Sequence, residues 1–87
     1  MKFLSIVIVN YNNPELLGAC LKSINQYLEG IKKEVIVVDN NSTLQNLSEH
    51  QERYPDLKVI YLHANMGFGY ANNVGVKHAT GDILLLL

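Results

Sequence analysis

Residues 35–38, Val-Ile-Val-Val, run directly into Asp39 and the polar stretch Asn40-Asn41-Ser42-Thr43, and this constrains the chain more than any other feature. A strand buried on both faces of a parallel sheet carries an unbroken β-branched run, whereas a strand with one wet face alternates. Residues 34–39 are therefore expected to form a buried strand ending in a polar turn. In open α/β sheets ligands gather beyond the carboxyl ends of the strands. Two roles stand open for Asp39: a ligand contact, or a turn-former and helix cap, as Asp, Asn and Ser often are.

The segments around this strand alternate in type. Residues 3–9 are rich in Ile and Val and lead into Asn10-Tyr11-Asn12-Asn13-Pro14. Pro14 suits the first position of a helix, with Asn13 as its N-cap and Glu15 at the positive end. Leu16, Leu17, Cys20, Leu21, Ile24, Tyr27 and Leu28 then form one apolar stripe, and Gly30 suits the C′ position. A second, mostly polar helix is expected over residues 44–54, on an exposed flank, touching the core through Leu44, Leu47 and Tyr54 and stopped by Pro55. Residues 57–62 predict a third strand centred on Val59 and Ile60, followed by a loop, 63–69, with two glycines. A third helix, 70–79, carries small residues at Ala71, Gly75 and Ala79, allowing close approach to a neighbouring backbone; Gly81 closes it, and residues 82–87 predict a fourth strand.

The order β-α-β-α-β-α-β predicts an α/β fold: a four-stranded, mostly parallel sheet with right-handed crossovers and helices on both faces. Such sheets are normally larger, and the sequence given stops within an apolar run, so an incomplete domain is expected over residues 1–87. An unpaired apolar edge at 83–87 would favour association with a second copy.

Composition narrows the function classes. At 87 residues, 48% hydrophobic and a net charge of −1, the chain is one globular unit at most. A chain of this size buries roughly 60 to 65% of its unfolded surface, so the core is modest. The charges are scattered, which excludes the basic footprint of a nucleic-acid binder and a membrane-surface helix. Cys20 is the only cysteine, so no internal disulfide forms and a reducing cytoplasm fits; its role is packing. Residues 1–9 lack the cleavage region of a signal peptide, and 83–87 are too few to span a bilayer.

Three loops should converge at the carboxyl edge of the sheet: 10–13, 39–43 and 63–69. They supply amides, a carboxylate, a phenol and a glycine-rich backbone. That set suits a nucleotide, with a carboxylate or amide on the base edge or ribose, Tyr11 stacked on the base, and glycines letting backbone N–H groups approach. A dinucleotide-binding domain would need Gly-x-Gly-x-x-Gly in the first turn, and Asn-Tyr-Asn-Asn-Pro has no glycine. Gly67-Phe68-Gly69-Tyr70-Ala71-Asn72 matches that pattern only in part and follows the third strand. No Walker motif, Cys/His metal cluster or Gly-x-Ser-x-Gly elbow occurs. His50, His63 and His78 read as surface or structural residues, and Ser5, Ser42 and Cys20 lack an adjacent base.

Taken together, the three blocks resemble the family 2 nucleotide-sugar glycosyltransferases of the Rossmann-like GT-A fold. Ser5-Ile6-Val7-Ile8-Val9-Asn10-Tyr11-Asn12 resembles their opening strand, and Val37-Val38-Asp39-Asn40-Asn41-Ser42 their second. Asn65-x-Gly67-Phe68-Gly69-x-x-Asn72-Asn73-x-Gly75, with Ala79-Thr80-Gly81-Asp82 after it, resembles their third block. The resemblance implies transfer of a sugar from a nucleoside diphosphate donor, a UDP- or dTDP-sugar, to a glycan or lipid-linked acceptor. It implies that Asp39 accepts a hydrogen bond from the donor's pyrimidine, that Asn10, Tyr11 and Asn12 line the base pocket, that Asn41 is also nucleotide-binding, and that Gly67 and Asn73 lie near the ribose and diphosphate.

Two departures stand out. Family members often carry an Arg where this chain has Asn72, and the Gly-Phe-Gly and Asn-Asn wording is closer to the rhamnosyltransferase-like branch. In the family the metal-binding Asp motif follows the strand that matches 83–87, and the catalytic base lies further on. No catalytic residue and no metal ligand is therefore assigned within this chain, Asp82 included, and the Mg or Mn ion expected of the full-length enzyme would take its ligands elsewhere. The chain alone is expected to be inactive. The expected location is the cytoplasm, with the full-length protein peripheral at the inner face of the membrane. The rival expectation is a non-catalytic α/β module that self-associates through its last strand.

Overall fold

The computed structural model describes residues 2–43 and 47–87. The elements follow in the order β1 (Leu4–Asn10), α1 (Pro14–Tyr27), β2 (Lys33–Asp39), α2 (Ser48–Arg53), β3 (Lys58–Tyr61), α3 (Phe68–His78) and β4 (Ile83–Leu86). The sheet order is β3-β2-β1-β4 and every neighbouring pair is parallel. β1 and β2 are fully in register from Leu4 opposite Lys33 to Asn10 opposite Asp39. The chain thus builds outward from β1 to β3 and then returns to the other side of β1. The point where the order reverses lies between β1 and β4, and in sheets of this kind the crevice there is where ligands bind.

Side-chain alternation along the central strands separates two cores. Ile6, Ile8 and Val37 pack with Leu17, Leu21 and Ile24 of α1 and with Leu47 and Leu57. Ile36 and Val38, on the opposite face, pack with Ala71 of α3. Ala71 and Gly75 bring α3 close to the sheet as the small-residue spacing predicts: a Cβ on Gly75 would overlap Cγ1 of Val7 and stand 3.2 Å from Val38. The α1 stripe is narrower than expected. Leu16 and Tyr27 are 60% and 74% exposed, because they flank the buried line of Leu17, Leu21 and Ile24. No helix among the described residues is long and apolar enough to cross a membrane.

The element ends carry the corrections. Asn13 caps α1, its Oδ1 accepting from the Leu16 N–H at 3.2 Å, but the helix ends at a Leu28 cap and left-handed Gly30 lies two residues beyond it. α2 covers Ser48–Arg53 only, and the expected helical residues 44–46 lie outside the described ones. α3 starts at Phe68, two residues earlier than expected, and Ala79 caps it, so Gly81 does not close the helix. A Cβ on Gly81 would stand 2.6 Å from the Phe3 carbonyl oxygen and 2.6 Å from Ser5 Oγ, so glycine serves there to let the chain pass against β1. β4 pairs with β1 and leaves its other edge open. Its residues are 38 to 49% exposed, so the last strand is apolar yet uncovered.

At the amino end of the sheet a buried polar cluster fixes that crossover. Glu34, 6% exposed, pairs with Lys58 at 2.6 Å, and its Oε2 accepts from Ser5 Oγ at 2.5 Å, from the Thr80 N–H at 2.7 Å and from Thr80 Oγ1 at 3.0 Å. Burial alone would raise the Glu34 carboxyl; the donors from Lys58, Ser5 and Thr80 outweigh it and hold the pKa down at about 2. β1, β2, β3 and the link into β4 are thereby tied through one carboxylate.

Candidate nucleotide site

The carboxyl ends of β1 and β2 place Asn10 and Asp39 side by side, both nearly buried at 3% and 4% exposure. Asp39 Oδ1 accepts from Asn10 Nδ2 at 2.9 Å and from Ser42 Oγ at 2.6 Å, while its Oδ2 accepts from the Ser42 N–H at 2.9 Å. Asp39 is therefore the turn-former that one of its two expected roles required. A carboxylate offers about four acceptor positions. Three are used by these bonds, two on Oδ1 and one on Oδ2.

Ser42 is the hinge between the first two loops. Its Oγ accepts from the Asn12 N–H at 2.9 Å and lies 3.4 Å from Asn10 Nδ2. Beside it, the Thr43 N–H donates to Asn12 Oδ1 at 2.8 Å. Asn12 adopts φ +48° and Asn41 φ +65°, left-handed conformations that asparagine tolerates better than most residues. The third loop is tied on by Asn40, 4% exposed, whose Nδ2 donates to Asn65 Oδ1 at 2.9 Å and whose Oδ1 accepts from the Met66 N–H at 2.9 Å. Asn65 Oδ1 also accepts from the Gly67 N–H at 3.0 Å. The three loops do meet at the carboxyl edge, held together by side-chain amides and hydroxyls.

Gly67 caps α3 with φ +85° and ψ 161°, a conformation open essentially only to glycine. It accepts from the Ala71 N–H at 3.2 Å, the first bond of the helix. The N–H groups that open α3 have no partner within the helix, so they present positive potential to the crevice. A Cβ on Gly69 would meet nothing within 4 Å, so the backbone there is open to approach.

Of the residues singled out in the sequence, Asn10, Asn12 and Asp39 form the centre of this network. Tyr11, between them, is 48% exposed, and Gly67 shapes the third loop. Asn41 and Asn73 are both exposed and sit outside the hydrogen bonds just described. Asn40, Ser42 and Asn65, which join the loops, were not singled out. The signal was present: Asn-Asn-Ser after an acid is rich in side chains that bond neighbouring backbone.

The described residues do not fit the divalent cation expected of the full-length enzyme. No group of three or more His, Cys, Asp or Glu side chains among them is placed to hold a metal ion. A cavity of about 210 Å³ opens elsewhere, lined by Leu21, Ile24, Arg53, Tyr54 and Leu57, at the amino end of the sheet and away from the three loops.

Residues 5–87 match the family described as Glycosyl transferase family 2. The poly(ribitol-phosphate) beta-glucosyltransferase of Bacillus spizizenii is 35% identical over 89 aligned positions, covering 97% of this chain and 14% of that protein. Residues 1–349 of Staphylococcus aureus TarS, solved with UDP-GlcNAc, superpose with a TM-score of 0.83 at 32% identity, covering all of this chain and 26% of that one. The mannosyltransferase PcManGT of Pyrobaculum calidifontis, solved with GDP-Man and Mn²⁺, gives a TM-score of 0.74 at 27% identity over 93% of this chain and 25% of that one. The chain thus spans well under a third of the length of each.

Proposed function

Because the chain belongs to glycosyl transferase family 2, we propose that residues 1–87 form the donor-binding part of an enzyme that moves a sugar from a nucleoside diphosphate to a glycan or lipid-linked acceptor. The observation that carries this is the knitting of three loops around Asp39 at the carboxyl ends of β1, β2 and β3. In this reading the pyrimidine N–H reaches the remaining acceptor position of Asp39, and Tyr11 stacks on the base. The diphosphate lies toward Gly67 and the N-terminus of α3, where unpaired N–H groups and the helix dipole favour an anion. The UDP-GlcNAc bound by TarS supports a uridine donor. The Gly67-Phe68-Gly69 wording favours a thymidine donor of the rhamnosyltransferase-like branch.

Transfer itself needs a base for the acceptor hydroxyl and stabilisation of the leaving diphosphate. We assign neither to this chain, so residues 1–87 bind without catalysing, in the cytoplasm and at the inner face of the membrane in the full-length protein. Calorimetric titration of UDP, dTDP and NAD tests the reading. A pyrimidine diphosphate is expected to bind more tightly than NAD, and preference for NAD would overturn it.

The exposed apolar β4 favours a second reading, a module that pairs with another copy through its open edge. Light scattering over a concentration series decides. Growth of dimers that Leu84→Lys abolishes would support pairing, and a clean monomer at high concentration would exclude it.

A further inference from the structure

Asn72 is 9% exposed, and its Oδ1 has no hydrogen-bond partner among the described residues. A buried amide oxygen left unpaired costs stability comparable to a lost hydrogen bond, so such a group calls for an explanation. Its place on α3 is fixed by its neighbours. Ala71 packs on Ile36 and Val38 of β2, and Gly75 lies over Val7 of β1. Stepping round the helix by 100° per residue, Asn72 falls on the flank turned past β1 toward β4, the side of the strand-order reversal. Because helical side chains lean toward the N-terminus, it lies beside Phe68 and Gly69, next to the helix end that would take the diphosphate. The space at Gly69 is open, and Phe68, one turn before Asn72, is 63% exposed.

We infer that Asn72 is a specificity-determining residue whose Oδ1 accepts a hydrogen bond from a sugar hydroxyl of the bound donor. The inference rests on the nucleotide-sugar reading above. A phosphate carries no donor for this oxygen, and the base is engaged at Asp39 on the β2 side of β1. The groups of the ligand that lie between base and phosphate, or just beyond the phosphates, and carry O–H donors are the ribose and the transferred sugar. Either supplies the same chemistry, and an amide oxygen accepts from it without charge.

The test is titration of UDP, 2′-deoxy-UDP and UDP-GlcNAc into the wild type, Asn72→Leu and Asn72→Asp, with Asn72→Ala replacing the leucine variant if that fails to fold. Asn72→Leu removes the acceptor while filling the space. It is expected to lose roughly tenfold in affinity for the ligand bearing the recognised hydroxyl and little for its counterpart. Collapse of the UDP to 2′-deoxy-UDP ratio identifies the ribose, and collapse of the UDP-GlcNAc to UDP ratio identifies the transferred sugar. Asn72→Asp keeps an acceptor and should keep the ratio. If UDP binds and neither ratio changes in Asn72→Leu, the residue is structural and the inference fails alone. If the wild type binds no UDP or UDP-GlcNAc, both it and the donor reading fall.

Discussion

Asp39 shows how one residue can serve a turn and a ligand together. Its three bonds to Asn10 and Ser42 hold it in place, so a ligand meets an oriented carboxylate and not a mobile one. Asp39→Asn keeps the shape but sets an amide donor or a weaker acceptor opposite the Ser42 N–H. UDP affinity should fall about tenfold or more, with a loss of roughly 1 to 3 kcal/mol in stability from the mismatched donor. Calorimetry and urea denaturation measure the two separately; undiminished affinity would leave Asp39 as a turn residue only. The acid itself was legible in the sequence, since a β-branched run ending in Asp marks a strand end. Which of Asn40, Asn41 and Ser42 turned inward was not. Asn41 takes a left-handed φ and stays exposed, while Asn40 and Ser42 on either side of it bond to Asn65 and Asp39; a run of polar turn-forming residues does not record which of them will do so.

Elements follow the same rule, in that periodic segments were legible and their ends were not. β1 and β2 lie within one residue of expectation because continuous Ile/Val runs have one stable use in a small α/β fold. α3 starts two residues before the sequence predicts, because Gly67 and Gly69 read as loop, whereas Gly67 is the cap and Gly69 is already helical. The glycines of this helix make a contrast that packing can test. Gly75→Ala drives a methyl into Val7 and should cost about 1 to 3 kcal/mol. Gly69→Ala meets nothing and should stabilise the helix by up to about 1 kcal/mol, unless its methyl blocks the ligand. Thermal denaturation with and without UDP separates these outcomes. Equal stability of the two variants would mean that α3 does not lie as close to β1 as Gly75 implies.

At the scale of the molecule, the sequence predicts parallel strands and helices on both faces, but the order β3-β2-β1-β4 depends on which side of β1 the last crossover lands. No local pattern records that choice. Part of it is secured by Glu34, which reads in the sequence as the polar start of a strand and in the fold as the tie between β1, β2, β3 and the entry to β4. The tie has a pH signature. A free glutamate titrates near 4.3, and in the folded chain the Lys58, Ser5 and Thr80 donors hold Glu34 at about 2. Between those values the unfolded chain binds more protons than the folded one, so stability falls as pH falls through that window. Glu34→Gln removes the charge and the dependence with it. Above about pH 5 the variant should be less stable than wild type by roughly 2 kcal/mol, discounted because the Lys58 side chain is 55% exposed. Urea denaturation from pH 7 to pH 2 should show that gap closing from about pH 5 downward. A gap of constant size would mean that packing, and not the ionised carboxylate, fastens the crossover, and β4 would then owe its place beside β1 to the strand ladder alone.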